Sequence, residues 1–257
     1  MSIKLSQEEA DDRSRASAAL AIMCKAPRPG LTKTRLGSVI GHERAATLSA
    51  AFLQDVAHAI ESLPVPLFRR GYGVYAPAGT EPELRALLPA SFGLLLQQAM
   101  DFGAVLRDAA RALLAAGHDC VVLINADSPT LPASCLTGAI EALREPGERV
   151  VLGPAIDGGY YLIGVKADHP ALFERVPWST PDVLRITLER AAEVALAVTM
   201  LPTWYDVDDP ESYATLTAEI AGRPPGFASP GLVGGPAPAT RAALAAEQAG
   251  SSARPGA

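Results

Sequence analysis

Four segments of the chain hold residue types that do chemistry together. The first is Lys25-Ala-Pro-Arg28-Pro-Gly30-Leu-Thr-Lys33-Thr-Arg35-Leu36, with four cations and no anion in the eleven residues from Lys25 to Arg35. Cations on a loop stiffened by two prolines suit the oxygens of a di- or triphosphate. A solvated basic loop fits the same residues. The run matches neither the phosphate loop that ends in Gly-Lys-Ser/Thr nor the G-x-G-x-x-G dinucleotide pattern, which argues against ordinary P-loop ATPases and Rossmann dehydrogenases. The second segment, Leu123-Ile-Asn125-Ala-Asp127-Ser-Pro129, ends an apolar run on an aspartate. A carboxylate there suits a hard divalent cation that takes its other ligands from phosphate and water; a turn-fixing aspartate before Pro129 is the alternative.

The third segment is Gly153-Pro-Ala-Ile-Asp157-Gly158-Gly159-Tyr160-Tyr161. Its paired glycines let backbone approach a ligand, and Asp157 has the chemistry to take a proton from a hydroxyl. Asp-Gly is also a strong hairpin signal, and that reading is favoured on these residues alone. The fourth is Trp204-Tyr-Asp206-Val-Asp208-Asp209-Pro-Glu211. If extended, it puts Asp206 and Asp208 on one face as a second source of metal ligands, while Asp209 caps a following helix. A solvated acidic loop is the alternative.

The positioning elements alternate. Ala18 to Met23 and Cys120 to Ile124 are short apolar runs of the kind buried on both faces of a parallel sheet. Further strands are predicted at Tyr72–Tyr75, Leu94–Leu96, Val150–Leu152, Tyr160–Val165 and Val198–Leu201. Leu48, Phe52, Val56 and Ile60 mark one helix, and Phe102, Val105, Leu106, Ala109 and Leu113 another. Ser179-Thr-Pro-Asp182 and Asp209-Pro-Glu211 read as helix starts. The pattern predicts an α/β fold of three layers with a mostly parallel central sheet, whose ligands sit at the carboxyl ends of the strands. It spans 17–221 as one domain. Residues 1–16 read as a flexible segment and 222–257, rich in Pro, Gly and Ala, as a disordered tail in which only Thr240 to Ala249 has a helical pattern.

Composition narrows the function. A formal net charge of -6 leaves no general positive surface, so a nucleic-acid partner is not expected. No apolar run is long enough to span a bilayer, and the first fifteen residues mix acids with bases, unlike a signal peptide. A cytoplasmic protein without a membrane partner is the expectation. Cys24, Cys120 and Cys135 are widely spaced in apolar surroundings and suggest neither a disulfide nor a zinc site.

Taken together, Lys25–Gly30 with Lys33–Leu36, Asp127-Ser-Pro129, Gly153–Tyr161, Trp178-Ser179-Thr180 and Asp206-Val-Asp208 resemble a known family in their order along residues 18 to 220. It is the DUF2064-type family of small GT-A-like transferases in the nucleotide-diphospho-sugar transferase superfamily, also described as radical-SAM/selenodomain-associated transferases and assigned to arsenosugar biosynthesis as glycosyltransferases. The resemblance implies a Rossmann-like GT-A fold. It further implies nucleotide contacts from Lys25, Arg28, Gly30, Lys33, Arg35, Gln98 and Asp101, although Asp101 serves equally as a helix cap. Mg²⁺ or Mn²⁺ would be held by Asp127 and Asp208. The acceptor would meet Gly158, Gly159, Tyr160, Trp178, Ser179 and Thr180, with Asp157 and Lys33 as catalytic groups. Two positions depart from the family pattern: Asn125 stands where a glycine is expected, and Asp209-Pro-Glu-Ser212 replaces Thr-Pro-Glu-Asp.

The leading function is metal-dependent transfer of a sugar from a nucleotide sugar to a small-molecule acceptor. The alternative is nucleotidyl transfer from a nucleoside triphosphate to a phosphorylated small molecule with release of pyrophosphate, since four cations suit a triphosphate. A non-catalytic nucleotide-binding protein is the third. The sequence specifies neither the acceptor nor the oligomeric state.

Overall fold

The computed structural model describes residues 17–64 and 69–252. Among these, seven strands form one sheet in the order β3-β2-β1-β4-β6-β5-β7. The strands are β1 (Ala18–Lys25), β2 (Arg69–Ala76), β3 (Gly93–Leu96), β4 (Cys120–Asn125), β5 (Arg149–Pro154), β6 (Tyr160–Val165) and β7 (Ala197–Met200). All pairings are parallel except those of β6, which runs against both β4 and β5. The expected three-layer α/β fold with a mostly parallel sheet is present.

The layers follow from the two-residue period of the strands. Leu20 and Ile22 of β1 join one buried cluster, and Ala19 and Ala21 the other. The first cluster lies under α1 (Thr34–Ile40), α2 (His42–Glu61), α5 (Ala133–Arg144) and α7 (Pro210–Ile220). The second lies under α4 (Phe102–Ala115) and α6 (Val183–Glu193), while the short α3 (Glu81–Arg85) links β2 to β3. The chain leaves β1 toward β2 on one side and reaches β4 on the other. That reversal opens a crevice at the carboxyl ends of β1 and β4, where open α/β sheets bind ligands.

The expected tail is corrected. Phe227 packs edge-on to Trp204 and Tyr205, the Gly235 N–H donates to the Thr130 carbonyl at 2.8 Å, and α8 (Pro238–Ser252) lies along α2. The buried Asp55 carboxylate accepts the Ala239 and Thr240 N–H groups at 2.8 Å each, capping α8 from a helix far away in sequence. Ala237, Thr240 and Leu244 are buried as a result. The flexible segment expected over 1–16 lies outside the described residues, as do 253–257.

Asp209 caps α7 as expected, and Ser212 completes a capping box with it. The Ser179-Thr180 start of α6 is corrected. The helix begins at Val183, while the Thr180 hydroxyl donates to the Pro177 carbonyl in the preceding turn. No described helix is long and apolar enough to cross a membrane, and all three cysteines are buried free thiols.

Candidate active site

Three segments distant in sequence meet at the crevice. Beyond β1, the Leu31 and Thr32 N–H groups both donate to the Arg28 carbonyl, and the resulting tight turn leaves Lys33 left-handed at φ 50°, immediately before α1. An L-residue rarely holds that conformation without surrounding contacts to fix it. Beyond β4, the Asn125 side chain turns back to accept the Asp127 N–H at 3.4 Å. Asn125 thereby shapes a bend at the position where the resemblance implies glycine. Beyond β7, the Val207 N–H donates to the Asp127 carbonyl at 2.8 Å and the buried Ser128 hydroxyl to the Tyr205 carbonyl at 2.8 Å. The Ser212 hydroxyl accepts the Asp208 N–H at 3.0 Å. The second departure from the family pattern thus holds the backbone of a candidate ligand.

These segments bring three charges into contact. The Lys33 ammonium lies 2.7 Å from Asp127 Oδ1 and 2.5 Å from Asp208 Oδ1, with only 4% of its side chain exposed. Arg35, largely exposed, reaches Asp208 Oδ2 at 3.5 Å. Burial lowers the Lys33 pKa, but the Asp127 and Asp208 charges and hydrogen bonds outweigh it and hold the ammonium above its ordinary value. Burial, aided by Asp208, pushes Asp127 upward while Lys33 pulls it down. Asp206 is driven to about 7, first by burial and then by the charges of Asp208, Asp157 and Asp127. Asp206 therefore feels three other carboxylates, two of which hold the buried ammonium.

A cavity of about 540 Å³ opens over this cluster, floored by Lys33, Asn125, Asp127 and Asp208 and reached by Lys25. Its rim carries apolar side chains that face solvent: Leu31, Met100 and Phe102. Lys25, Lys33, Asp127 and Asp208 are thus brought together as expected. Arg28 is not, because its guanidinium is held by Glu83 of α3 and it does not line the cavity. Gly30 supplies a left-handed turn residue at φ 72° in open space. Gln98 faces a second cavity of about 700 Å³ between the β3 edge and α4, and it is Gln97 that lines the first, its amide donating to the Val74 carbonyl at 3.0 Å. Asp101 caps α4 by accepting the Ala104 N–H at 2.9 Å. For Gln97, its place at the carboxyl end of β3 was the usable signal.

The residues expected to meet an acceptor form a neighbouring unit. Asp157 accepts the Gly159 N–H at 2.9 Å, and Ala155 and Gly159 pair across the turn, so the hairpin reading describes these residues. The Gly158 carbonyl accepts the Leu184 N–H, and at φ 90° its Cα lies so near the Pro181 carbonyl that a Cβ would stand 2.1 Å from that oxygen. The Asp157 turn and the Ser179-Thr180-Pro181 segment are therefore pressed together. Trp178 meets Phe102 and Tyr160 edge-on, linking this unit to the cavity rim. The Tyr160 hydroxyl is buried near Thr187.

The donor set fits a hard divalent cation. Asp127 and Asp208 each place an oxygen against the same positive group. Among the described residues no three His, Cys, Asp or Glu side chains form a ready-made cage. Two carboxylates completed by phosphate oxygens and water are the usual provision for Mg²⁺.

The family model "Uncharacterized protein conserved in bacteria (DUF2064)" matches residues 72–180. A crystal structure of a "putative nucleotide-diphospho-sugar transferase" from Desulfovibrio desulfuricans G20 is 30% identical, with 91% of this chain and 96% of that one covered and a TM-score of 0.76. CMP:2-keto-3-deoxy-manno-octonic acid synthetase, solved with CTP, is 12% identical over 80% of this chain and 99% of its own, at a TM-score of 0.53. The 4-diphosphocytidyl-2C-methyl-D-erythritol synthase of Anaerococcus prevotii DSM 20548 is 11% identical over 82% and 100%, at 0.51. These last two likenesses are of fold. No curated protein matches the chain in sequence.

Proposed function

The chain belongs to the nucleotide-diphospho-sugar transferase superfamily, and on that premise we propose that it moves a sugar from a nucleotide-sugar donor to a small-molecule acceptor with a divalent cation bound. The observation that carries this is the meeting of Lys33, Asp127 and Asp208, from three remote segments, on the floor of one cavity at the switch between β1 and β4. Neutralising a leaving diphosphate requires cations and metal ligands on the same spot.

In this reading Asp127 and Asp208 hold Mg²⁺ or Mn²⁺, which supplies Lewis-acid stabilisation of the leaving diphosphate. Lys25 and Arg35 neutralise the outer phosphate oxygens, and Lys33 gives its ammonium to the phosphate nearest the acids. Leu31, Met100 and Phe102 cover the donor and keep water from the anomeric carbon. The Asp157–Gly159 turn with Ser179 and Thr180 forms the acceptor wall. Asp157 serves there as the shaper of the turn, because its carboxylate already accepts the Gly159 N–H.

The count of cations favours a diphosphate sugar over a triphosphate, since Arg28 is tied to Glu83 and leaves only Lys25, Lys33 and Arg35 for the ligand. The test is a panel of nucleotide sugars and nucleoside triphosphates with Mg²⁺ or Mn²⁺, followed by phosphorus NMR, with an arsenosugar-type acceptor as one arm. Release of nucleoside diphosphate from a nucleotide sugar supports the proposal. Pyrophosphate release from a triphosphate replaces it with nucleotidyl transfer. Nucleotide binding that is indifferent to the cation and to Asp127→Asn makes the protein a non-catalytic binder.

A further inference from the structure

We propose that the Lys33 ammonium is a resident counter-cation that a divalent ion must displace, so that the ion binds weakly to the free protein and tightly only when a phosphate ligand receives the lysine. This rests on the reading of the cavity as a site for a cation-bound phosphate ligand. Lys33 touches Asp127 Oδ1 and Asp208 Oδ1 at 2.7 and 2.5 Å, the same oxygens a divalent ion would need. Two cations on one pair of oxygens repel at a separation where the low-dielectric floor screens them poorly. One must leave.

The surroundings show why the lysine is there and where it goes. Asp127 and Asp208 each lie within 2.7 Å of Nζ, and without a cation between them the two half-buried carboxylates would be left close together and mutually repelling. Apart from the two acids, Nζ has the Phe52 ring beneath it, 5.9 Å from its centre, a face that holds a cation far more weakly than a phosphate would. Lys33 also stands on the left-handed residue that joins the exposed turn of Pro29 to Leu31 to α1, where one backbone rotation redirects the side chain. The cavity above supplies the destination, since Lys25 and Thr32 line the same wall and leave a phosphate within reach of all three.

The consequence is coupling. A ligand that draws Lys33 away bares both carboxylates for the metal, and a metal that expels Lys33 hands its ammonium to the phosphate. By linkage each tightens the other.

The test titrates Mn²⁺ alone into the full-length protein and reads the free ion by electron paramagnetic resonance. Lys33→Gln is expected to bind Mn²⁺ at least tenfold more tightly than the unmodified protein, Lys33→Arg no more tightly, and Lys33→Gln with Asp208→Asn to lose the gain. Equal affinity in Lys33→Gln and the unmodified protein overturns the displacement. If Lys33→Gln does not fold, amine acylation of the unmodified protein decides: millimolar Mn²⁺ is expected to speed acylation of Lys33, and an unchanged rate overturns the proposal. Binding of UDP with Mn²⁺ to the unmodified protein judges the site reading separately. UDP binding without a Lys33→Gln gain rejects only the displacement, and a gain without binding of any nucleotide rejects only the nucleotide reading.

Discussion

Two aspartates follow strands of the same sheet, and they are used differently. Asp127 leaves β4 with its backbone bonded to the Asn125 side chain and to Val207, so its carboxylate is free of local duty and meets a lysine from another segment. Asp157 follows β5 and uses its carboxylate on the Gly159 N–H two residues away. The first is held by its neighbours and offered to the cavity; the second holds its own turn. A strand-end aspartate is therefore informative when something else satisfies its loop, and uninformative when the aspartate does so itself.

Substitutions break that contrast in a graded way. Asp127→Asn removes a proposed metal ligand while keeping shape and is expected to lower kcat/KM for donor turnover about a hundredfold or more, since metal stabilisation contributes several kcal/mol. Steady-state kinetics across a Mn²⁺ series checks it, and an unchanged metal dependence counts against Asp127. Gly158→Ala attacks the other region. It forces a Cβ to 2.1 Å from the Pro181 carbonyl at a positive φ, and a loss of about 2 to 3 kcal/mol is expected in chemical denaturation.

Ser128→Ala removes the buried hydroxyl that ties the Asp127 loop to Tyr205 and leaves that carbonyl unpaired. About 1 to 2 kcal/mol of stability should go with it, together with a weaker Mn²⁺ response in the presence of UDP. Stability lost without any change in the Mn²⁺ response would separate the two loops. The smallest effect is expected for Asp157→Asn, whose amide oxygen still accepts the Gly159 N–H. Its turnover should stay within about threefold of the unmodified enzyme, whereas a general base would show about a hundredfold loss or more.

Much of the fold was legible because parallel strands buried on both faces appear as unbroken apolar runs, and all seven predicted strands are present. β2 begins earlier than expected, at Arg69, because its polar and glycine residues carry no strand pattern. The C-terminal segment was misread for a physical reason. Its Pro, Gly and Ala look like those of a disordered tail, and what holds it is non-local: Asp55 on the α8 N-terminus and the Trp204–Tyr205 face against Phe227.

In the site, strand-end position made Lys25 and Asp127 readable, and alternation along an extended acidic run brought out Asp206 and Asp208. The pairing of Arg28 with Glu83 was hidden, because a cation's partner lies in the fold and not in its own loop. The same holds for Lys33, which the basic run marks as a phosphate ligand but which the folded chain holds between two acids. Gln97 and Gln98 differ by one residue, and only the strand's register decides which of them meets the cavity.

The central claim is that the cavity takes a pyrophosphate-bearing nucleotide through a cation held by Asp127 and Asp208. Calorimetric titration of UDP into the protein, with and without Mn²⁺, and into Asp127→Asn with Asp208→Asn, tests it most directly. Binding that strengthens at least tenfold with Mn²⁺ and loses that gain in the double variant is the predicted result. UDP affinity that ignores both the ion and the substitutions would contradict it.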